Sequence, residues 1–156
     1  MRIENADAPE FLETVRRLFR EYGALPDVEM PEQELAGLPG KYAPPAGRLL
    51  VAFEEPEIPA GCVALHKLEE NICEMKRLYV RPAFRGKKAG RALVTAVIAC
   101  AREIGYGRMR LDTRPSMPTA IQLYRSLGFR EIPPYLPKPV PGAMFFELEL
   151  QKADTH

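Results

Sequence analysis

The sequence predicts an α/β domain: a mixed, mostly antiparallel central sheet of six to seven strands with helices on both faces. Three observations carry this. Three long segments repeat apolar residues at helical spacing, around Phe11–Tyr22, Leu93–Ile104 and Ala120–Leu127. Short apolar, partly β-branched runs lie between them, bounded by Gly, Pro and Asn. Glu74 to Gly90, EMKRLYVRPAFRGKKAG, reads as a strand, a proline-marked turn and a glycine-bearing loop that opens a helix.

Taken in order, Arg2–Asn5 suits a short edge strand. Asp7 and Glu10 have capping-box spacing, Pro9 is tolerated in a first turn, and Gly23 supplies a stop. Ala24–Gly47 mixes a short helical segment, Glu32–Leu38, with Pro and Gly turns. Arg48–Glu54, Gly61–Leu68 and Ile72–Arg81 form an antiparallel meander, turning at EEPEIPA and at Asn71. The long helix after Gly90 ends at Gly105, and Arg108–Thr113 is a short strand. Ser116 is placed to cap the next helix, which Gly128 closes. Phe129–Ile132, a proline-rich loop Pro133–Gly142 and a last strand Met144–Leu150 complete a single domain over residues 1–156.

An apolar content of 46% with 28% charged residues is that of a globular protein, and a net charge of +1 leaves no global field for nucleic acid or membrane surfaces. The basic residues gather locally instead: Lys76, Arg77, Arg81, Arg85, Lys87, Lys88 and Arg91 read as one anion site. Cys62, Cys73 and Cys100 are odd in number and lack CxxC spacing, so neither a disulfide framework nor a metal site is expected. No apolar run of ~18 residues occurs, and the acidic, amphipathic N-terminus lacks a signal-peptide core. A cytoplasmic protein with reduced thiols is the expectation.

A helix start concentrates free N–H groups and positive dipole, and Arg85, Lys87, Lys88 and Arg91 add charge there. Such an entrance suits a phosphate or pyrophosphate, although a solvated basic face has the same composition. No Gly-Lys-Ser/Thr follows, and the dinucleotide fingerprint fails.

Arg85-Gly86-Lys87-Lys88-Ala89-Gly90 after Leu78-Tyr79-Val80-Arg81-Pro82 resembles the acyl-CoA-binding motif of the GNAT superfamily of N-acetyltransferases. Ala120-Ile121-Gln122-Leu123-Tyr124-Arg125-Ser126-Leu127-Gly128-Phe129 resembles the second signature of that family, in the right order. The resemblance covers roughly Ile72–Leu150. It implies acetyl-CoA as co-substrate, its pyrophosphate held by backbone N–H groups of Arg85, Gly86, Lys87, Lys88, Ala89, Gly90 and Arg91. It also implies that Leu78-Tyr79-Val80 splays from its neighbouring strand and pairs with the pantetheine arm, an N–H near Leu78 or Tyr79 facing the thioester carbonyl. Lys88 stands where the family has its first glycine, which is incompatible with a Cβ only if φ is positive there.

Glu74 matches the strand glutamate that some members use as general base, and Tyr124 the tyrosine that protonates the departing thiolate. A strand glutamate paired with Lys76 or Arg77, and a helix-face aromatic, are the plainer alternatives. Regular alternation would put Glu74 on one face with Lys76, Leu78 and Val80 unless a bulge changes the phase. Cys73 and His66 read as core and strand residues, so direct attack in a ternary complex is expected. The acceptor is a small-molecule or peptide amine, and acidic Asp27, Glu29, Glu32 and Glu34, with Tyr135, lie in the segments that would shape its pocket. A non-catalytic CoA-binding module is the alternative that Lys88 keeps open. The last strand could pair with a second copy to give a homodimer.

Overall fold

A computed structural model describes residues 1–26, 28–114 and 117–151; Asp27, Ser116 and His156 lie outside the described residues. Seven strands form one sheet: β1 (Arg2–Asn5), β2 (Arg48–Glu54), β3 (Ile58–Glu69), β4 (Ile72–Val80), β5 (Arg108–Thr113), β6 (Arg130–Ile132) and β7 (Met144–Glu149). Their order is β1-β2-β3-β4-β5-β7-β6, and only the β4–β5 pair is parallel. A parallel pair needs a crossover, here the helix α3 (Ala89–Ile104). The other helices are α1 (Pro9–Gly23), α2 (Glu32–Ala36) and α4 (Pro118–Ser126).

Strand pleating sorts the core into two layers. Leu50 and Ala52 point beneath α3, whose Leu93, Val94, Val97, Ile98 and Ala101 are buried with Val63, Leu65, Met109, Leu111 and Phe146. Leu49, Val51 and Phe53 point to the other face, where Val15, Leu18 and Phe19 of α1 cover Cys62, Ala64 and Tyr79. Each such side chain stabilises the fold by about 1.5–3 kcal/mol, so both layers are needed to hold the sheet.

Several local expectations are corrected. Pro9 occupies the first helical position and forces Ala8 into extended backbone (φ −70°, ψ 147°), so Ala8 is the N-cap and Asp7 makes no capping bond. Gly105 (φ 106°) and Gly128 (φ 98°) close their helices in the left-handed region, but Gly23 does not. Gly23 is the last residue of α1, and a Cβ there would sit 2.7 Å from Met30 Cβ. The last strand is flanked by β5 along its length and by β6 over Phe145–Glu147.

The entrance to α3 has a backbone constraint of its own. Lys88, immediately before the helix, is left-handed (φ 63°, ψ 18°), with an exposed side chain. Its conformation is the one a glycine adopts without cost, and it orients the chain into α3. Lys88→Gly is expected to leave stability equal or raised by up to ~1 kcal/mol, and Lys88→Val to lower it by ~1–2 kcal/mol, in urea unfolding. Equal stability of the two variants would show that the position does not hold this conformation in solution.

Candidate functional site

The central feature of the site is a fork in the sheet. β4 and β5 are in register only at Ile72–Arg108, Cys73–Met109 and Glu74–Arg110. Beyond Glu74 the strands part, and a cleft of about 470 Å³ opens between them. Met75, Lys76, Arg77 and Leu78 line one side of it, and Leu111, Asp112, Thr113 and Arg114 the other. Tyr22, Met117, Ala120 and Tyr124 are also in its wall. The splay implied by the resemblance is therefore present in the backbone.

A bulge in β4 changes the alternation. Arg77 has φ 62°, and the β3–β4 register shifts between Cys62 and Ala64. Cys73 and Met75 pack in the layer under α3, and after the bulge Leu78 and Val80 rejoin that layer while Tyr79 turns to the α1 side. Regular alternation is thus corrected: Glu74 does not share a face with Leu78 and Val80.

The bulge is held by a charge pair. Arg77 Nε and Nη2 each donate to Glu34 at 2.9 Å, its Nη1 donates to the Glu29 carbonyl at 3.1 Å, and Tyr42 donates to Glu34 at 3.0 Å. Burial pushes the Glu34 carboxyl up, but the Arg77 and Tyr42 bonds outweigh it and hold the group below its usual range. Glu34 is therefore fully engaged. Glu32 meets Arg20 at 3.8 Å and is not among the cleft-lining residues, whereas Glu29 is. Of the described acidic residues in this segment, Glu34 is neutralised by Arg77 and Glu32 turns to Arg20.

Glu74 sits at the vertex of the fork, 1% exposed. Register places it in a rung of polar side chains across the sheet: His66, Glu74, Arg110, Glu147 and Arg130. His66 Nε2 lies 2.8 Å from Glu74 Oε1, Tyr135 donates to Oε2 at 2.6 Å, and Lys76 Nζ is 3.6 Å from Oε1. Burial alone would raise the carboxyl's pKa, but His66, Lys76 and Tyr135 together lower it. Lys76 also reaches Asp112 across the fork, at 3.7 Å. Tyr135, known from the sequence only as a loop residue, lies 61 positions from Glu74, so no local pattern could pair them.

Tyr124 is 4% exposed, lines the cleft, and has no hydrogen-bond partner among the described residues. Burial pushes its phenol well above the ordinary value, which keeps the hydroxyl protonated as a donor. Cys73 is pushed up to about 12 by burial, and Cys62 higher still, so neither thiol is an activated nucleophile.

The proposed single anion site of seven basic residues separates in space. Arg81 is bound by Glu21 at 2.6 and 3.0 Å, and Lys76 and Arg77 belong to the cleft. Arg85, Lys87, Lys88 and Arg91 remain at the α3 start, with Lys87 over the Phe84 ring and Arg91 on Ser126 Oγ at 2.8 Å. Gly86 takes φ 82°, Ala89 is buried, and Gly90 faces Val80 and Leu123, so the helix start adjoins the end of β4 and α4. The N–H groups of Lys88, Ala89, Gly90 and Arg91 have no backbone acceptor among the described residues, as at any helix start. No helix among the described residues is long and apolar enough to cross a membrane, and none of their His, Cys, Asp and Glu side chains group to hold a metal ion.

Residues 10–129 match the sequence profile of the Acetyltransferase (GNAT) family. An uncharacterised N-acetyltransferase of Schizosaccharomyces pombe is 40% identical over 147 residues, 94% of this chain and 90% of that one. The uncharacterised N-acetyltransferase YjgM of Escherichia coli is 32% identical, over 84% of this chain and 81% of its own length. In fold, the chain superposes on a GNAT-family acetyltransferase from Staphylococcus aureus with a TM-score of 0.80 at 19% identity, covering 96% of this chain and 99% of the other. The forked sheet, the helix entrance beside it and these likenesses lead to one conclusion: the chain belongs to the GNAT family of acetyltransferases, as an N-acetyltransferase.

Proposed function

We propose that the protein moves the acetyl group of acetyl-CoA to a primary amine by direct attack within a ternary complex. The observation that carries this reading is the fork: beyond Glu74, β4 has no β5 partner and offers a free strand edge beside the cleft. The pantetheine arm adds to that edge along Leu78, Tyr79 and Val80, and an N–H of Leu78 or Tyr79 receives the thioester oxygen as it becomes an oxyanion. The pyrophosphate occupies the start of α3, met by the N–H groups of Gly86, Lys88, Ala89, Gly90 and Arg91 and by the side chains of Arg85, Lys87 and Lys88, while the N–H groups of Arg85 and Lys87 donate to the Pro82 and Phe84 carbonyls at 3.3 Å. The non-catalytic alternative rested on Lys88, yet its side chain is exposed and its backbone follows the path of a glycine, which favours a working donor site. Three free cysteines suit a reducing, cytoplasmic setting.

In the transfer itself, the neutral amine nitrogen attacks the thioester carbon, the C–S bond breaks, and Tyr124 gives its proton to the leaving sulfur. Glu74 takes the proton lost by the amine. Both Glu74 oxygens are hydrogen-bonded, so the proton reaches it through the Tyr135 hydroxyl or a water rather than by contact with the acceptor. A carboxyl held below its usual range is a weak base toward an amine, which assigns most of the rate to positioning and to oxyanion stabilisation.

Titration calorimetry is expected to show micromolar binding of acetyl-CoA, weakened at least tenfold when Lys87 and Lys88 are both replaced by Glu. Absence of binding at high micromolar concentration would remove the donor site from this fold. With an acceptor that turns over, Tyr124→Phe and Glu74→Gln should each lower kcat about a hundredfold with little change in acetyl-CoA affinity. A kcat within threefold of the parent for either variant would leave that residue a structural role only.

A further inference from the structure

Among the described residues, the cleft wall carries more cationic than carboxylate side chains. Arg77 is consumed by Glu34, and Arg114 contacts Asp112 at 3.1 Å. Lys76 is shared between Glu74 and Asp112. Two further lysines line the same cleft, Lys41 beside the Tyr42 ring and Lys138 on the proline-rich loop, and neither forms an ion pair among the described residues. Among the described residues that line the cleft, Glu29 is the carboxylate not already held by an arginine or lysine.

Burial is the main cause that depresses the Lys41 pKa; among its charged neighbours Glu34 and Glu74 raise it, and Lys76 and Arg77 lower it. Lys41 lies over the Tyr42 ring, which packs edge-on against His66, the partner of Glu74, so Lys41 lies on the side of the vertex of the fork. An ammonium without an ion-pair partner among the described residues, in a cleft open to a ligand, is stabilised by an incoming anion.

We propose that the acceptor is an amine that also carries a carboxylate, an amino acid or a peptide with a free C-terminus, and that Lys41, with Lys138, binds that carboxylate. This inference rests on the acetyltransferase reading and narrows it. Lys41 and Lys138 are here specificity determinants, since they meet the far end of the acceptor and not the reacting atoms.

The test uses the full chain with acetyl-CoA and follows thiol release with matched acceptors: free amino acids and alanyl dipeptides, each against its carboxamide. The carboxylate member is expected to have a kcat/KM at least tenfold higher, and Lys41→Met to raise its KM about tenfold, with Lys41→Arg restoring most of the loss. Calorimetry with acetyl-CoA should give the same affinity for Lys41→Met as for the parent, which separates acceptor from donor binding. Equal or faster turnover of the carboxamides would overturn the inference and leave the acetyltransferase reading in place. Acetyl-CoA binding without acetylation of any acceptor would overturn both.

Discussion

The structure depends on the parting of β4 from β5 after Glu74 and Arg110. A parallel pair held at one end and open at the other leaves backbone N–H and C=O groups without a sheet partner. Such an edge is costly if buried and dry, and it is useful only where a ligand can supply the missing strand. The fold invests in keeping the fork open. Arg77 sits at positive φ, a conformation costing about 1 kcal/mol or more for a non-glycine residue, and its guanidinium is tied to Glu34 on α2. The Arg77 and Glu34 side chains are 12% and 15% exposed, so the pair is partly desolvated and worth more than a surface ion pair.

From this geometry the division of labour in the cleft follows. The bulge sends Leu78 and Val80 to the α3 side and Tyr79 to the α1 side, while Glu74 faces the polar rung across the sheet. The end near α3 is then basic, and its backbone is aligned by the left-handed Lys88. Lys41 and Lys138 also line the cleft without an ion-pair partner among the described residues, although the nearby sequence is rich in glutamate. Charge composition along a loop does not report the field in a cleft when the carboxylates are consumed by arginines from other elements.

Local periodicity made most of the fold legible. Strand Arg108–Thr113 and the starts of β2, β4 and β7 agree with the sequence reading, because alternation and turn residues act within a few positions. The helix entrance and Tyr124 were legible as motifs, and the structure places both beside the fork. The phase of β4 was not legible, since the residue with positive φ is an arginine and carries no turn signal. Nor were the Tyr135–Glu74 and Arg77–Glu34 contacts, which join residues 61 and 43 positions apart. The basic cluster misled for the same reason: Arg81 lies among the others in sequence, but Glu21, 60 positions away, binds it.

The central claim is that the open edge of β4 and the start of α3 together receive acetyl-CoA. Backbone amide NMR with and without acetyl-CoA tests it most directly. The account predicts shift changes and slowed hydrogen exchange confined mainly to Met75–Val80 and Gly86–Arg91, with β2 and α1 unaffected. Saturable binding that leaves both of those segments unchanged would contradict it.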